Sequence, residues 1–125
     1  MENLPNSPKK KKFFDLEERT FLFAKNVRAF TKKLPRTIEN VEDIRQLVKA
    51  SGSQGANYIE ANEALSKKDF LMRIKICRKE AKESTFFLKL VDTNNDKELE
   101  EERMTLIKES IELTKIFGAI VTKSQ

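Results

Sequence analysis

Lys68, Lys75, Lys82 and Lys89 recur at intervals of seven residues, and Lys79 falls between them. Seven residues are almost two helical turns, so on a helix these side chains form one row with about 10 Å between successive members. A row of this kind matches a chemistry that lysine performs unaided: neutralising the phosphates of a nucleic-acid backbone. A second basic run, Lys9-Lys10-Lys11-Lys12, precedes the first apolar pattern and suits either the same contact or plain solubility. No arginine-rich, aromatic-interleaved patch accompanies the lysines. The reading therefore predicts contact through phosphate and shape, without base reading. An ordinary solvated helix face has the same pattern, and spacing alone does not separate the two.

The other reactive residues are not spaced for catalysis. The chain has no His, which removes the commonest general acid–base group and metal ligand. Its single cysteine, Cys77, has no histidine to activate it and falls on an apolar seam. Asp92, Asn94 and Asp96 imitate the start of a calcium-binding loop. Lys97 then stands where that loop needs Gly, and Arg103 where it needs Glu, so calcium is not expected. Glu98, Glu100, Glu101 and Glu102 crowd one short stretch, where they suit the positive end of a helix dipole better than acid–base work. The expectation is a protein without catalytic residues, cofactor or metal.

Helices must position the lysine row. Residues 1–14, with two prolines and the lysine run, read as a basic flexible tail, and residues 15–125 as one helical domain. Asp15 and Glu18 stand in the spacing of a capping box, followed by a seam at Leu16, Thr20, Phe23, Val27, Phe30 and Leu34. Pro35 ends that helix. A second helix is expected from Thr37 or Glu39 to about Leu65. Its inward stripe is Val41, Ile44, Val48, Ser51, Gly52, Gly55, Tyr58, Ile59 and Asn62. The two glycines imply close approach of a neighbouring helix or a kink, and close approach is the preferred reading. Ser66 then caps a third helix with its seam at Phe70, Ile74, Cys77, Ala81, Ser84, Leu88 and Val91. After the polar turn Asp92–Asp96, a fourth helix runs from about Lys97 to Thr122. Its apolar positions form two sets, Met104, Ile107, Ile111, Thr114, Gly118 and Val121, and Leu106, Leu113, Phe117 and Ile120. Four such helices with short connections predict an all-α, up-down-up-down four-helix bundle.

One bundle cannot bury every apolar residue of these helices. Met72, Ile76, Phe87 and Leu90 lie away from the third helix's seam, and the two sets on the fourth helix together cover about half its circumference, more than one bundle needs. Excess apolar surface of this kind marks an interface, here a homo-oligomer. Ser53, Asn57 and Glu60 on the second helix, beside the small Ala50 and Ala64, are further candidates for that interface; the alternative is an ordinary polar face.

Composition agrees with a folded helical protein. The chain has 125 residues, with only three Gly and three Pro, 36% charged residues and nine Phe. One cysteine fits a reducing compartment, and no apolar run approaches the ~20 residues that span a bilayer. Residues 1–91 carry 20 Lys and Arg against 12 Asp and Glu, whereas residues 92–125 carry 5 against 8. A basic body with a mildly acidic last helix is compatible with a polyanionic partner in the cytoplasm, away from membranes.

A family resemblance emerges from three segments: Ser51-Gly52-Ser53-Gln54-Gly55-Ala56-Asn57-Tyr58-Ile59-Glu60-Ala61, Ala64-Leu65-Ser66-Lys67-Lys68-Asp69-Phe70 and Lys79-Glu80-Ala81-Lys82-Glu83-Ser84. They resemble the bacterial four-helix-bundle proteins encoded in intervening sequences of 23S ribosomal RNA genes, the group also described as S23 ribosomal protein-like. The resemblance extends over about residues 15–122. Asn57-x-x-Glu60-Ala61 and Ser66–Phe70 are its most specific parts. Phe86-Phe87-Leu88 stands where relatives often carry Tyr-Trp-Leu, a departure that touches local packing. The resemblance implies a homo-oligomer, a pentameric ring. The accessory protein of diversity-generating retroelements, similar in fold, is a basic pentamer that binds nucleic acid and a reverse transcriptase. The sequence reading is thus a non-enzymatic oligomeric bundle that binds RNA or DNA. Its alternative is an adaptor that recruits a protein partner through apolar helix faces.

Overall fold

The computed structural model describes residues 8–125, with side-chain surroundings from Leu16 onward. It contains four helices: α1 (Pro8–Thr31), α2 (Ile38–Asn62), α3 (Lys67–Leu90) and α4 (Lys97–Ser124). Helix α1 starts ahead of the Asp15 position expected for it, at a proline whose fixed φ suits a first helical residue. Residues 1–7 of the expected tail lie outside the described residues, and so do the side chains of Lys9, Lys10, Lys11 and Lys12.

Each start and stop has a local cause. Thr37 caps α2 by accepting from the Asn40 amide at 3.1 Å. Ser66 caps α3 by accepting from the Asp69 amide at 3.0 Å. Asp96 caps α4 by accepting from the Leu99 amide at 3.0 Å. Between α3 and α4, Asn94 and Asn95 both take the left-handed backbone conformation, which asparagine tolerates better than most residues. Asp92 accepts from the Asn94 amide there at 2.8 Å. The aspartates that imitate a calcium loop thus serve a turn and a cap.

Each helix packs chiefly against its two neighbours, and across the α2–α4 diagonal the Tyr58 and Phe117 rings meet with centroids 6.1 Å apart. All adjacent pairs are antiparallel. Arg19 reaches Glu109 and Lys33 reaches Glu102 between α1 and α4. Thr20 lies against Gly55, and Arg28 against Gly52, between α1 and α2. Arg73 bonds Asn57 between α3 and α2, and Thr85 bonds Ser110 between α3 and α4. The architecture is therefore the expected up-down-up-down bundle.

The core confirms two seams and corrects two. All six α1 positions from Leu16 to Leu34 are buried. On α3, Ile74, Cys77, Ala81, Ser84, Leu88 and Val91 are buried and Phe70 is half-buried. On α2 the expected Val41, Ile59 and Asn62 are exposed, and Asn40, Leu47, Gln54 and Ala61 are buried instead. Polar side chains that bond backbone carbonyls occupy those inner positions, so hydropathy misplaces the stripe. Gln54 donates to the carbonyls of Thr20 and Ser51, each at 2.9 Å. On α4 the core takes Leu106, Ile107, Leu113, Phe117 and Val121 and leaves Met104 and Ile111 exposed.

The glycines of α2 mark close packing, as expected, within one unbroken helix. A Cβ at Gly55 would meet the Thr20 side chain and backbone at 3.4 to 3.5 Å, whereas one at Gly52 would meet only the tip of Arg28, at 3.2 Å. Two substitutions should then differ in sign. Gly52→Ala gains helix propensity and displaces a flexible guanidinium, so it should stabilise by roughly 0.5–1 kcal/mol. Gly55→Leu must push α1 away and should cost about 1–3 kcal/mol. Urea titrations of both variants check this, and equal shifts in one direction would refute the assignment of the contact.

Candidate nucleic-acid interface

Helix α3 buries one face against the bundle, with α2 and α4 flanking it, and among the described residues its opposite face is open. Two capping arrangements fix its length. Ser66 closes its start, and Arg103 of α4 donates to the carbonyls of Leu88, Lys89 and Val91 at its end. The inner seam sets the rotation of the helix and so determines what faces solvent.

Lys68, Lys75, Lys79, Lys82 and Lys89 are all exposed on that outer face, so the sequence-derived row exists as one surface feature. Among the described residues, Lys68, Lys75, Lys82 and Lys89 form no ion pair within 4.0 Å, and Lys79 stands 4.0 Å from Glu80. Two cations beside α4 differ: Arg19 forks onto Glu109 at 2.7 and 2.9 Å, and Lys33, just after α1, pairs with Glu102 at 2.7 Å, so both help hold the α1 segment to α4. Lys89 also lies in the last turn of α3, where a cation favours the helix dipole.

The predicted interface residues lie along the α2–α3 edge. Asn57 donates to the backbone and side-chain oxygens of Ser53, both at 3.0 Å, and accepts from Arg73 at 3.0 Å. Its hydrogen-bonding capacity is therefore engaged within the chain. Glu60 is exposed. On α3, Met72 and Leu90 are each 51% exposed, Ile76 is half-buried, and Phe87 packs against the core. The second apolar face is real at Met72 and Leu90, and partly core at Phe87.

Sequence reasoning missed Phe86. It is 58% exposed and stands on the lysine side of α3, four residues after Lys82 and three before Lys89. Its ring meets Phe87 edge to face, with centroids 5.0 Å apart and an interplanar angle of 84°. The row therefore carries an aromatic, contrary to the expectation of an aromatic-free basic face. The signal was present in the i, i+4 spacing from Lys82, but attention to Phe87 as an interface candidate left its neighbour unplaced.

Groups with shifted proton affinity do not gather at one place. Burial pushes the Cys77 thiol up to about 12, which leaves it a protonated core side chain. Burial also raises the Tyr58 hydroxyl. At Glu80, partial burial raises the carboxyl above its usual range, and the Glu83 charge adds to the effect. Thr93 and Arg103 hold the Glu100 carboxyl below its usual range by hydrogen bonding. The last of these fixes the α3–α4 turn. Two surface grooves flank α1. One, of about 510 Å³, lies against α4 and holds the Arg19–Glu109 pair. The other, of about 460 Å³, lies against α2 between Phe21 and Ile59. No set of three or more metal-ligating side chains comes together among the described residues, and none of their helices is long and apolar enough to cross a membrane.

Residues 14–119 match the sequence profile of the 23S rRNA-intervening sequence protein family. The crystal structure of a protein of unknown function from the S23 ribosomal protein family, from Bacteroides thetaiotaomicron VPI-5482, superimposes with a TM-score of 0.73. It is 25% identical in sequence, and the match covers 84% of this chain and 96% of that one. No curated protein sequence matches.

Proposed function

The chain belongs to the 23S rRNA-intervening sequence protein family, and we propose that it is a non-enzymatic, oligomeric binder of nucleic acid that grips the phosphate backbone with the outer face of α3. The observation that carries this reading is the row Lys68, Lys75, Lys82 and Lys89, exposed and without ion-pair partners among the described residues. Lysines held by a rigid helix at roughly 10 Å intervals need no rearrangement to meet successive phosphates. Assembly into a homopentameric ring would repeat the row and raise its avidity through effective concentration. Exposed Met72, Leu90, Met104 and Ile111 are among the apolar residues available for contact between copies.

The test is the salt dependence of binding to structured RNA and to duplex DNA, on protein whose mass is measured by light scattering. Binding should weaken steeply as salt rises, with a log–log slope of roughly −3 or steeper for four or more phosphates contacted. The measured mass should be several times 14.5 kDa. Absence of binding at low salt would defeat the nucleic-acid reading. The second reading, a protein adaptor, draws on the same exposed apolar residues, and a partner complex that persists in high salt would favour it.

A further inference from the structure

We propose that Phe86 is a stacking platform for an unpaired base, which makes the α3 face selective for single-stranded over fully paired nucleic acid. This inference rests on the phosphate-binding reading above and adds the form of nucleic acid to it. Three observations on α3 carry it. Phe86 is 58% exposed, so a ring face remains open to a ligand. Phe87, itself packed on the core, lies against the Phe86 ring with centroids 5.0 Å apart and an interplanar angle of 84°, a contact that restricts the ring before any base arrives. Lysines stand on either side along the helix, Lys82 about 6 Å before Phe86 and Lys89 about 4.5 Å after it, with Lys79 a further turn back.

That arrangement meets the two requirements of single-strand binding, cations that follow the backbone and an aromatic that takes a base between them. A paired duplex offers the cations their phosphates but keeps its base faces stacked inside, so Phe86 would gain nothing from it. Glu83 lies three residues before Phe86 and is half-buried. Its charge disfavours phosphate on that flank and leaves the lysine flank for the backbone. Phe21 provides an internal contrast: it is 61% exposed and has the Lys25 ammonium 5.8 Å from its ring centroid, but it lies on α1, away from the lysine row.

The experiment compares a homopyrimidine single strand, made as RNA and as DNA, with a blunt duplex of the same length, at low salt. Phe86→Ala should lower single-strand affinity roughly 10- to 100-fold and leave duplex affinity unchanged. Phe21→Ala should change neither. The chain has no Trp, so Phe86→Trp supplies the sole tryptophan emission, and that emission should be quenched by the single strand and not by the duplex. Whichever of the RNA and DNA strands is bound more tightly identifies the natural chemistry. Unchanged single-strand affinity in Phe86→Ala, or equal losses on both forms, would overturn the platform while leaving the phosphate reading intact. A Phe86→Ala protein of altered mass in light scattering would place Phe86 between subunits and also overturn it. A wild-type protein that binds neither form would remove both proposals together.

Discussion

Reversing Lys75, Lys82 and Lys89 to Glu together should weaken nucleic-acid binding by at least about a hundredfold at low salt and flatten its salt slope by roughly two to three units. The magnitude follows from the number of phosphates lost and from the repulsion that replaces each contact. The three side chains are exposed and make no ion pair among the described residues, so the fold loses nothing that depends on their charge. Lys89 is the partial exception, because a carboxylate in the last turn of α3 opposes the helix dipole by a few tenths of a kcal/mol to ~1 kcal/mol. The matched control is Lys25→Glu with Lys32→Glu and Arg36→Glu. It lowers the net charge by the same amount but lies on and just after α1, the helix diagonal to α3 in the bundle. Fluorescence anisotropy on both triple variants separates a local row from a general excess of positive charge. Equal losses in the two would mean that only the overall field of the protein attracts the ligand.

The lysine row was legible in the sequence because two independent periodicities agree on α3. The apolar seam from Ile74 to Leu88 sets the rotation of the helix, and the seven-residue lysine spacing then has to fall on its outer side. The α1 seam was legible for the same reason, since Phe23, Val27 and Phe30 leave no competing inward face. Helix α2 was not. Its inner positions include Asn40, Ser51 and Gln54, each buried and each bonded to backbone oxygens, and no hydropathy pattern marks a polar residue as internal. Val41 and Ile59, which look internal, are exposed. Gln54 uses its amide group to bridge α2 to the Thr20 carbonyl on α1. Helix α4 was legible in half. Leu106, Leu113 and Phe117 are core, but an apolar residue on its outer side, such as Met104 or Ile111, has the same hydropathy as one inside. The fold was legible despite these errors, because four helices with short connections predict the bundle whichever side of α2 is inside.

Asn40→Ala should cost about 3–4 kcal/mol, one of the largest effects of any single polar substitution in the chain. Asn40 is 1% exposed and joins the two loops at one end of the bundle. Its amide nitrogen donates to the carbonyls of Pro35 at 2.9 Å and Asp92 at 2.8 Å, and its oxygen accepts from the Asp92 amide at 2.9 Å. Removing the side chain leaves three partly buried backbone groups without these partners in two loops and frees the α3–α4 turn from the start of α2. Against a total stability of roughly 5–15 kcal/mol, this is a large share, and the melting temperature should fall by about 10–20 °C. Asn40→Asp has the same shape and sharpens the case. It keeps the bond from the Asp92 amide but turns a carboxylate oxygen toward two carbonyls, so at pH 7 it should be at least as damaging as Ala. Burial and those carbonyls raise the folded-state pKa of the new carboxyl above its unfolded value. The folded state then binds the proton more tightly, and the penalty is present above the raised pKa and relieved as pH falls through it. Relative to wild type, Asn40→Asp should recover stability on acidification, and Asn40→Ala should not. Urea titrations at neutral and mildly acid pH check both statements. Losses below about 1 kcal/mol in both variants, or parallel pH profiles, would show that the two loops hold together without Asn40.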